Sequence, residues 1–160
     1  MLEVKNISKS FKTLQALNNV SFDVDSGRIL GLIGPNGSGK TTLFWIVLNF
    51  LSSDGEGKVL WKNQAVAHQL HDVIGYLPEE QGLYENLTIE QQVLYFAQLR
   101  GMNRKDILLK LDEWMGRLKV KGKVKDKIKT LSKGNQQKVQ LIATLIHEPE
   151  LIFLDEPSSR

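Results

Sequence analysis

Short apolar patterns in the first third of the chain predict β-strands. Residues 2–7 and 20–24 alternate apolar with polar positions, as strands with one buried face do. RILGLIG at 28–34 is apolar on both faces, which predicts a buried parallel strand. Three more strands are predicted in GKVLW at 57–61, DVIGYLP at 72–78 and LIFL at 151–154.

Helical patterns fill most of the remaining chain. TLFWIVLNFL at 42–51 predicts a core helix. Thr88 and Gln91 have the spacing of a capping box at the start of the next helix. Later helices are predicted to begin at Asn103 and to span 134–147. Strands, a helical insert and one more buried strand predict an α/β fold that carries a helical subdomain.

Composition excludes several classes of site. The 160 residues contain no cysteine, so disulfides, thiolate metal sites and cysteine nucleophiles are excluded. The 21 Lys and Arg residues against 18 Asp and Glu give a net charge of +3, which selects no partner. A domain of this length buries roughly 70% of its unfolded surface, so one core is expected. The longest apolar stretch, at 43–51, falls well short of the roughly 20 residues of a membrane span.

The strongest chemical signal is GPNGSGKTT at 34–42, which matches the phosphate-binding loop between a predicted strand and a predicted helix. Glycines let backbone amides approach phosphate oxygens, and the helix N-terminus adds favourable partial charge. Lys40 would reach the β- and γ-phosphates, Thr41 would hold Mg²⁺, and Thr42 would help to fix the α- and β-phosphates. The candidate nucleotide-binding residues of this loop are Gly34, Asn36, Gly37, Ser38, Gly39, Lys40, Thr41 and Thr42.

The last predicted strand ends in two carboxylates, Asp155 and Glu156. In phosphoryl transfer, an Asp at the end of a buried strand can hold Mg²⁺ through water, and a carboxylate beside it can deprotonate the attacking water. Asp155 is therefore the candidate metal residue and Glu156 the candidate general base. An apolar run ending in Asp-Glu is more often a plain strand, but a phosphate loop in the same chain favours the functional interpretation.

The stretch LSKGNQQKVQ at 131–140 precedes that strand. Ser132 supplies a hydroxyl and Gly134 a flexible backbone amide at a predicted helix N-terminus, which makes a second candidate anion site. Taken alone, Ser-x-Gly is more often an ordinary helix cap. GPNGSGKTT, LSKGNQQK and LIFLDEP, in that order and with a helical segment between the first two, resemble the nucleotide-binding domain of ATP-binding cassette (ABC) proteins over essentially all 160 residues.

The resemblance implies a P-loop NTPase core with an antiparallel β subdomain and an inserted helical subdomain, without the strands that follow Glu156. The expected parts are 1–86 (β subdomain and phosphate-loop core), 87–134 (helical subdomain) and 135–160 (signature helix and Asp-Glu strand). It also implies an ATP hydrolase that uses ATP and Mg²⁺. Two copies would sandwich two ATP molecules head to tail, with Ser132 and Gly134 facing the other copy's γ-phosphate. Hydrolysis would drive an integral-membrane permease subunit from the cytoplasmic face of the cell membrane.

Further positions acquire roles through the same resemblance. Phe11 matches the aromatic residue that stacks on adenine, a role that suits a flat apolar ring, although simple strand packing is the alternative. Glu79 stands where the family usually has Gln, in a loop that contacts Mg²⁺ and the attacking water, and is a candidate metal and catalytic residue. Lys133 and Asn135 replace the usual Gly and Gln of the signature. PEE with LSKGNQQK is similar to ATPase subunits of bacterial sodium and drug exporters.

A complete cassette would continue past Glu156 with a dimer-contact loop, another strand and a switch histidine. In the family, that strand lies between the phosphate-loop strand and the Asp-Glu strand, so its absence is expected to expose apolar edges and unpaired backbone groups. We therefore interpret the chain as C-terminally truncated, and we expect little ATP turnover from these 160 residues alone.

Two alternatives to an exporter subunit stay open. RLKVKGKVKDKIK at 117–129 has Arg or Lys at every odd position, which would put seven cations on one side of an extended segment. This stretch is the only support for a soluble ABC ATPase that acts on ribosomes or nucleic acid. A solvated surface is favoured, and nucleic acid is not expected as a partner, because no aromatic residue interleaves the charges. The other alternative is a nucleotide-binding fragment without turnover.

Overall fold

The computed structural model describes residues 1–66, 73–78 and 82–155, in two compact units, Met1–His71 and Asp72–Arg160. The first unit contains β1 (Leu2–Phe11), β2 (Leu14–Val24), α1 (Lys40–Val47), β3 (Lys58–Trp61) and β4 (Gln64–Ala65). The second contains β5 (Ile74–Leu77), α2 (Ile89–Leu99), α3 (Arg104–Arg117), a 3₁₀ helix (Ile128–Thr130), α4 (Lys133–Leu145) and β6 (Leu151–Leu154). The three-part division at residues 86 and 134 stays a prediction.

The first unit is built on a four-stranded antiparallel sheet in the order β2-β1-β3-β4. The predicted strands at 2–7 and 20–24 are confirmed, and both are longer than predicted because they join in one hairpin that pairs Phe11 with Leu14. The side chains of Leu2, Val4 and Ile7 are buried. This hairpin provides the surface on which the following loop and α1 are placed.

Residues 28–34 do not form the predicted buried strand. No strand in the described residues pairs with this segment, and the side chains of Ile29 and Ile33 are 99% and 100% exposed. A parallel strand needs a hydrogen-bonded neighbour, and an apolar pattern is buried only where other elements cover it. The expected exposure of apolar groups is therefore observed on the segment that enters the phosphate loop.

The second unit has a helical core formed by α2, α3, α4 and the 3₁₀ helix. The predicted capping box is confirmed, since Thr88 Oγ1 accepts from the amide of Gln91 at 3.2 Å and the Gln91 side chain accepts from the amide of Thr88 at 3.0 Å. Fully buried residues of this core are Ile89, Val93, Ala97, Ile107, Ile128, Val139, Ile142 and Ile146. None of the helices in the described part of the chain is long and apolar enough to cross a membrane.

A two-stranded parallel sheet of β5 and β6 completes the second unit. The end of α4 lies against β5, because a Cβ at Gly75 would stand 3.0 Å from the carbonyl oxygen of Thr144. Phe153 is buried, whereas Ile152 and Leu154 are 46% and 40% exposed. The predicted strand at 151–154 is therefore confirmed, but it is covered on one face only.

The basic segment 117–129 is not extended along its length, and the favoured prediction of a solvated surface is confirmed because its cations are exposed. Lys119 and Gly122 have φ angles of 51° and 147°, and Asp126 N–H donates to Lys123 O at 2.8 Å to close a turn. All seven cations are exposed. The apolar residues between them pack toward the helical core, namely Leu118, Val120, Val124 and Ile128. The alternation thus reflects burial of the apolar positions along a turning segment, and not a flat basic face.

Candidate nucleotide-binding site

Residues 34–39 form a tight loop that leads into α1, and residues 40–42 are the first residues of that helix. Gly37 and Gly39 have φ angles of 81° and 90°, left-handed values that favour glycine. A Cβ at Gly39 would lie 2.5 Å from the carbonyl oxygen of Ala16 in β2. The absence of a side chain at Gly39 therefore lets the loop lie directly against β2.

The Lys40 side chain folds back along this loop. Its Nζ donates to the carbonyl oxygens of Gly34 at 2.9 Å and Pro35 at 3.1 Å. A phosphate oxygen carries negative charge and a carbonyl oxygen is neutral, so a phosphate would compete well for this cation. Thr41 and Thr42 follow in the first helical turn and are half-buried.

The loop fits a polyphosphate on the chemistry of its groups. The first N–H groups of a helix have no partner within the helix and carry a partial positive charge, and here Lys40 is the first residue of that helix. Helix α1 is anchored through Leu43, Ile46 and Val47, which are buried. The amide donors and the cation are thus presented by a fixed element.

Phe11 lies at the end of the β1–β2 hairpin in the same unit. Phe11 pairs with Leu14 of β2. Ala16 lies two residues further along β2, roughly 7 Å away, and its carbonyl oxygen is the atom that a Cβ at Gly39 would meet. The Phe11 ring is 43% exposed, and Lys9 Nζ lies 5.8 Å from its centroid. The ring is thus partly covered and partly exposed, and its stacking on adenine stays a prediction.

Lys9 is held in turn by Asp54. Lys9 Nζ donates to Asp54 Oδ1 at 2.9 Å, and the amide of Ser10 donates to Oδ2 at 2.7 Å. The bonds from Lys9 and then from Ser10 lower the pKa of the Asp54 carboxyl. Sequence reasoning missed this clamp, because Asp54 is remote in sequence from the strand that it contacts.

Asp155 lies at the carboxyl edge of the two-stranded sheet in the second unit. It is 4% exposed, and its N–H donates to Leu77 O at 2.9 Å. Pro78 follows Leu77 at the same edge and precedes Glu79 in the sequence. Glu79 and Glu156 themselves lie outside the described residues.

Ser132 and Gly134 lie at the N-terminus of α4, as predicted. Ser132 is the N-cap residue, and the space around Gly134 is open. At the other end of the helix, His147 Nε2 donates to Ile74 O at 3.3 Å. The 13 residues of α4 span about 20 Å. Ser132 therefore lies about that distance from His147, which contacts the start of β5.

Sequence reasoning also missed Gln92, a fully buried residue of α2. Its Oε1 accepts from the amide of Tyr84 at 3.0 Å, and its Nε2 donates to Gly82 O at 3.3 Å. Gln92 therefore fixes the segment that follows residues 79–81. A polar residue three positions after Ile89, on the apolar side of the helix, was the available signal.

The chain is similar to known proteins along nearly all of its length. The sequence profile of the ABC transporter family matches residues 17–159. The Bacillus subtilis protein named "Uncharacterized ABC transporter ATP-binding protein YhaQ" is 40% identical over 99% of this chain and 53% of its own length. The "Linearmycin resistance ATP-binding protein LnrL" of the same organism is 31% identical over 99% of this chain and 51% of its own. The chain thus spans about half the length of these relatives.

A solved structure described as the ATP binding subunit of an ABC transporter has a similar fold. It is 28% identical, with a TM-score of 0.85, over 98% of this chain and 66% of that chain. This similarity confirms the predicted fold class, a P-loop NTPase core with an antiparallel sheet and added helices.

Proposed function

This chain belongs to the ABC transporter family, and we propose that it binds MgATP and, in the full-length dimeric protein, hydrolyses ATP to drive export through an integral-membrane permease. The permease would hold the protein at the cytoplasmic face of the membrane. The observation that carries the proposal is the loop of residues 34–42, in which Lys40 and the α1 N-terminus lie together and Gly39 leaves no side chain against β2.

Different residues of the first unit would bind different parts of the nucleotide. Lys40 and the loop amides would bind the phosphates, Thr42 would help to fix them, and Phe11 would stack on the adenine ring. Thr41, with Asp155 and Glu79, is proposed to hold Mg²⁺. Bound Mg²⁺ would supply charge neutralisation at the phosphate oxygens.

The second unit would supply the remaining groups. Glu156 is proposed as the base that accepts a proton from the attacking water. Ser132 and Gly134 are proposed to face the γ-phosphate held by a second copy, since a helix N-terminus suits an anion. Each copy would then complete the site of the other.

Export is supported by the name of one relative. LnrL is named for resistance to linearmycin, and removal of a compound from the cell is a route to resistance. The alternative of an ATPase acting on ribosomes or nucleic acid rests on segment 117–129, whose cations lie along a turning segment. That arrangement gives the alternative no flat basic face, which weakens its support.

The proposal is tested by Lys40→Ala in the full-length protein. We expect loss of MgATP binding by calorimetry, with an unchanged circular dichroism spectrum, because the variant removes the loop cation and leaves the buried face of α1 intact. Lys58→Ala, which removes an exposed cation at the start of β3, is the matched control and should bind normally. Retained MgATP affinity in Lys40→Ala would contradict the proposed placement of the phosphates.

A further inference from the structure

The hydroxyl of Ser132 is approached by two donors, both from Asn135. The backbone N–H of Asn135 lies 3.4 Å from Ser132 Oγ, and the side-chain Nδ2 lies 3.0 Å from it. A hydroxyl has two acceptor positions and one proton. Both acceptor positions of Ser132 therefore face N–H groups.

A third contact fixes the orientation of the Asn135 amide. Asn135 Oδ1 accepts from the backbone N–H of Lys121 at 2.9 Å. Because a backbone N–H can only donate, the amide oxygen must face Lys121 and the amide nitrogen must face Ser132. The Ser132 proton has no acceptor on this side of the residue, since Nδ2 is a donor only.

We propose that Asn135 is a positioning residue that directs the Ser132 O–H outward, as a donor to a phosphate oxygen of the nucleotide held by a second copy. This inference rests on the proposed function, in which Ser132 faces that phosphate. Ser132 is exposed, so its proton can reach a group outside the chain. A donor set in advance needs no reorientation when the anion arrives, which strengthens its electrostatic effect.

Asn135 also fastens the basic segment to α4, and this second role needs its own control. Lys138, one turn further along α4, donates from Nζ to Lys119 O at 3.1 Å. Lys138 thus ties the same segment to the same helix without contacting Ser132. Lys138→Met loosens the segment and leaves the hydroxyl arrangement in place.

The test compares Asn135→Ala, Ser132→Ala and the double variant in the full-length protein. We measure dimerisation by sedimentation with Mg²⁺ and the non-hydrolysable analogue AMP-PNP, together with ATP turnover. Asn135→Ala should weaken nucleotide-dependent dimerisation about 10-fold, as expected for one hydrogen bond to a charged group. In the Ser132→Ala background the same change should have no further effect, because Asn135 acts through the hydroxyl. AMP-PNP binding to the monomer should be unchanged.

Asn135→Asp gives an independent readout. The carboxylate still accepts from Lys121 N–H, but it also accepts from the Ser132 O–H and turns that proton inward. Hydrogen exchange at the Lys121 amide should stay slow in this variant, while dimerisation is lost at least as strongly as in Asn135→Ala.

Three results would overturn the inference. These are additive effects of Asn135→Ala and Ser132→Ala, an equal loss of dimerisation in Lys138→Met, and normal dimerisation in Asn135→Asp. A Ser132→Ala variant that dimerises normally would instead contradict the proposed role of Ser132, and with it this part of the proposed function.

Discussion

The carbonyl oxygen of Ala16 lies 2.5 Å from the point that a Cβ at Gly39 would occupy. Gly39→Ala would therefore displace either the loop or β2, in addition to the strain of a φ angle of 90°. We expect the variant to lose about 1–3 kcal/mol of unfolding free energy and to bind MgATP at least about 10-fold more weakly. Thermal melting and nucleotide titration measure the two effects.

Gly27→Ala is the matched control for this prediction. Gly27 has a φ angle of 75°, but its Cβ would meet no atom within 4 Å. Gly27→Ala should therefore have the backbone strain but no steric clash. We expect a smaller loss of unfolding free energy than in Gly39→Ala, and normal MgATP affinity. Equal MgATP affinities of the Gly27 and Gly39 variants would show that close contact with Ala16 is not needed for the phosphate loop.

Gln92→Leu should loosen the segment that follows residues 79–81. The variant keeps the volume of the side chain but leaves the Tyr84 amide and the Gly82 carbonyl without their buried partner. We expect a loss of about 1–3 kcal/mol, with faster hydrogen exchange at the Tyr84 amide. Gln98→Leu, on the exposed side of the same helix, should leave that exchange unchanged. Slow exchange in Gln92→Leu would show that Gln92 does not fix this segment.

The hydrogen bonds that Asp54 accepts from Lys9 and Ser10, close to Phe11, should depend on pH. Since the folded pKa of Asp54 lies below its usual 3.8, the clamp is complete above that value and is lost as the pH falls through the lower folded value. A carboxyl ¹³C titration should place the Asp54 midpoint below 3.8. In Lys9→Met the midpoint should rise, because the main cause of the shift is removed. An unchanged midpoint in Lys9→Met would contradict this assignment.

The features that the sequence predicted well depend on neighbouring residues. The capping box of Thr88 and Gln91 and the loop of residues 34–42 are set by spacing along the chain, and the structure contains both elements. Residues 28–34 were predicted wrongly because burial of a strand depends on a partner remote in sequence.

The same distinction explains which parts of the site were missed. The bond between Asn135 and Lys121 and the bond between Gln92 and Gly82 join residues 14 and 10 positions apart. No local pattern specifies such pairs. In the basic segment 117–129 the local pattern was informative, because apolar and charged side chains do alternate between buried and exposed positions. Its backbone nevertheless turns at Gly122. Alternation records which side chains are buried, and an extended strand is only one way to bury them.

The exposed side chains of Ile29 and Ile33 should also promote aggregation of the protein. Residues 29–34 contain no charge, and no strand among the described residues pairs with them, so this stretch should attract the strand edges of other molecules. Losses during purification should therefore rise with protein concentration and should begin at this segment, ahead of any damage to the helical core. The stability of the phosphate loop in solution should therefore depend on what covers residues 29–33, which precede it.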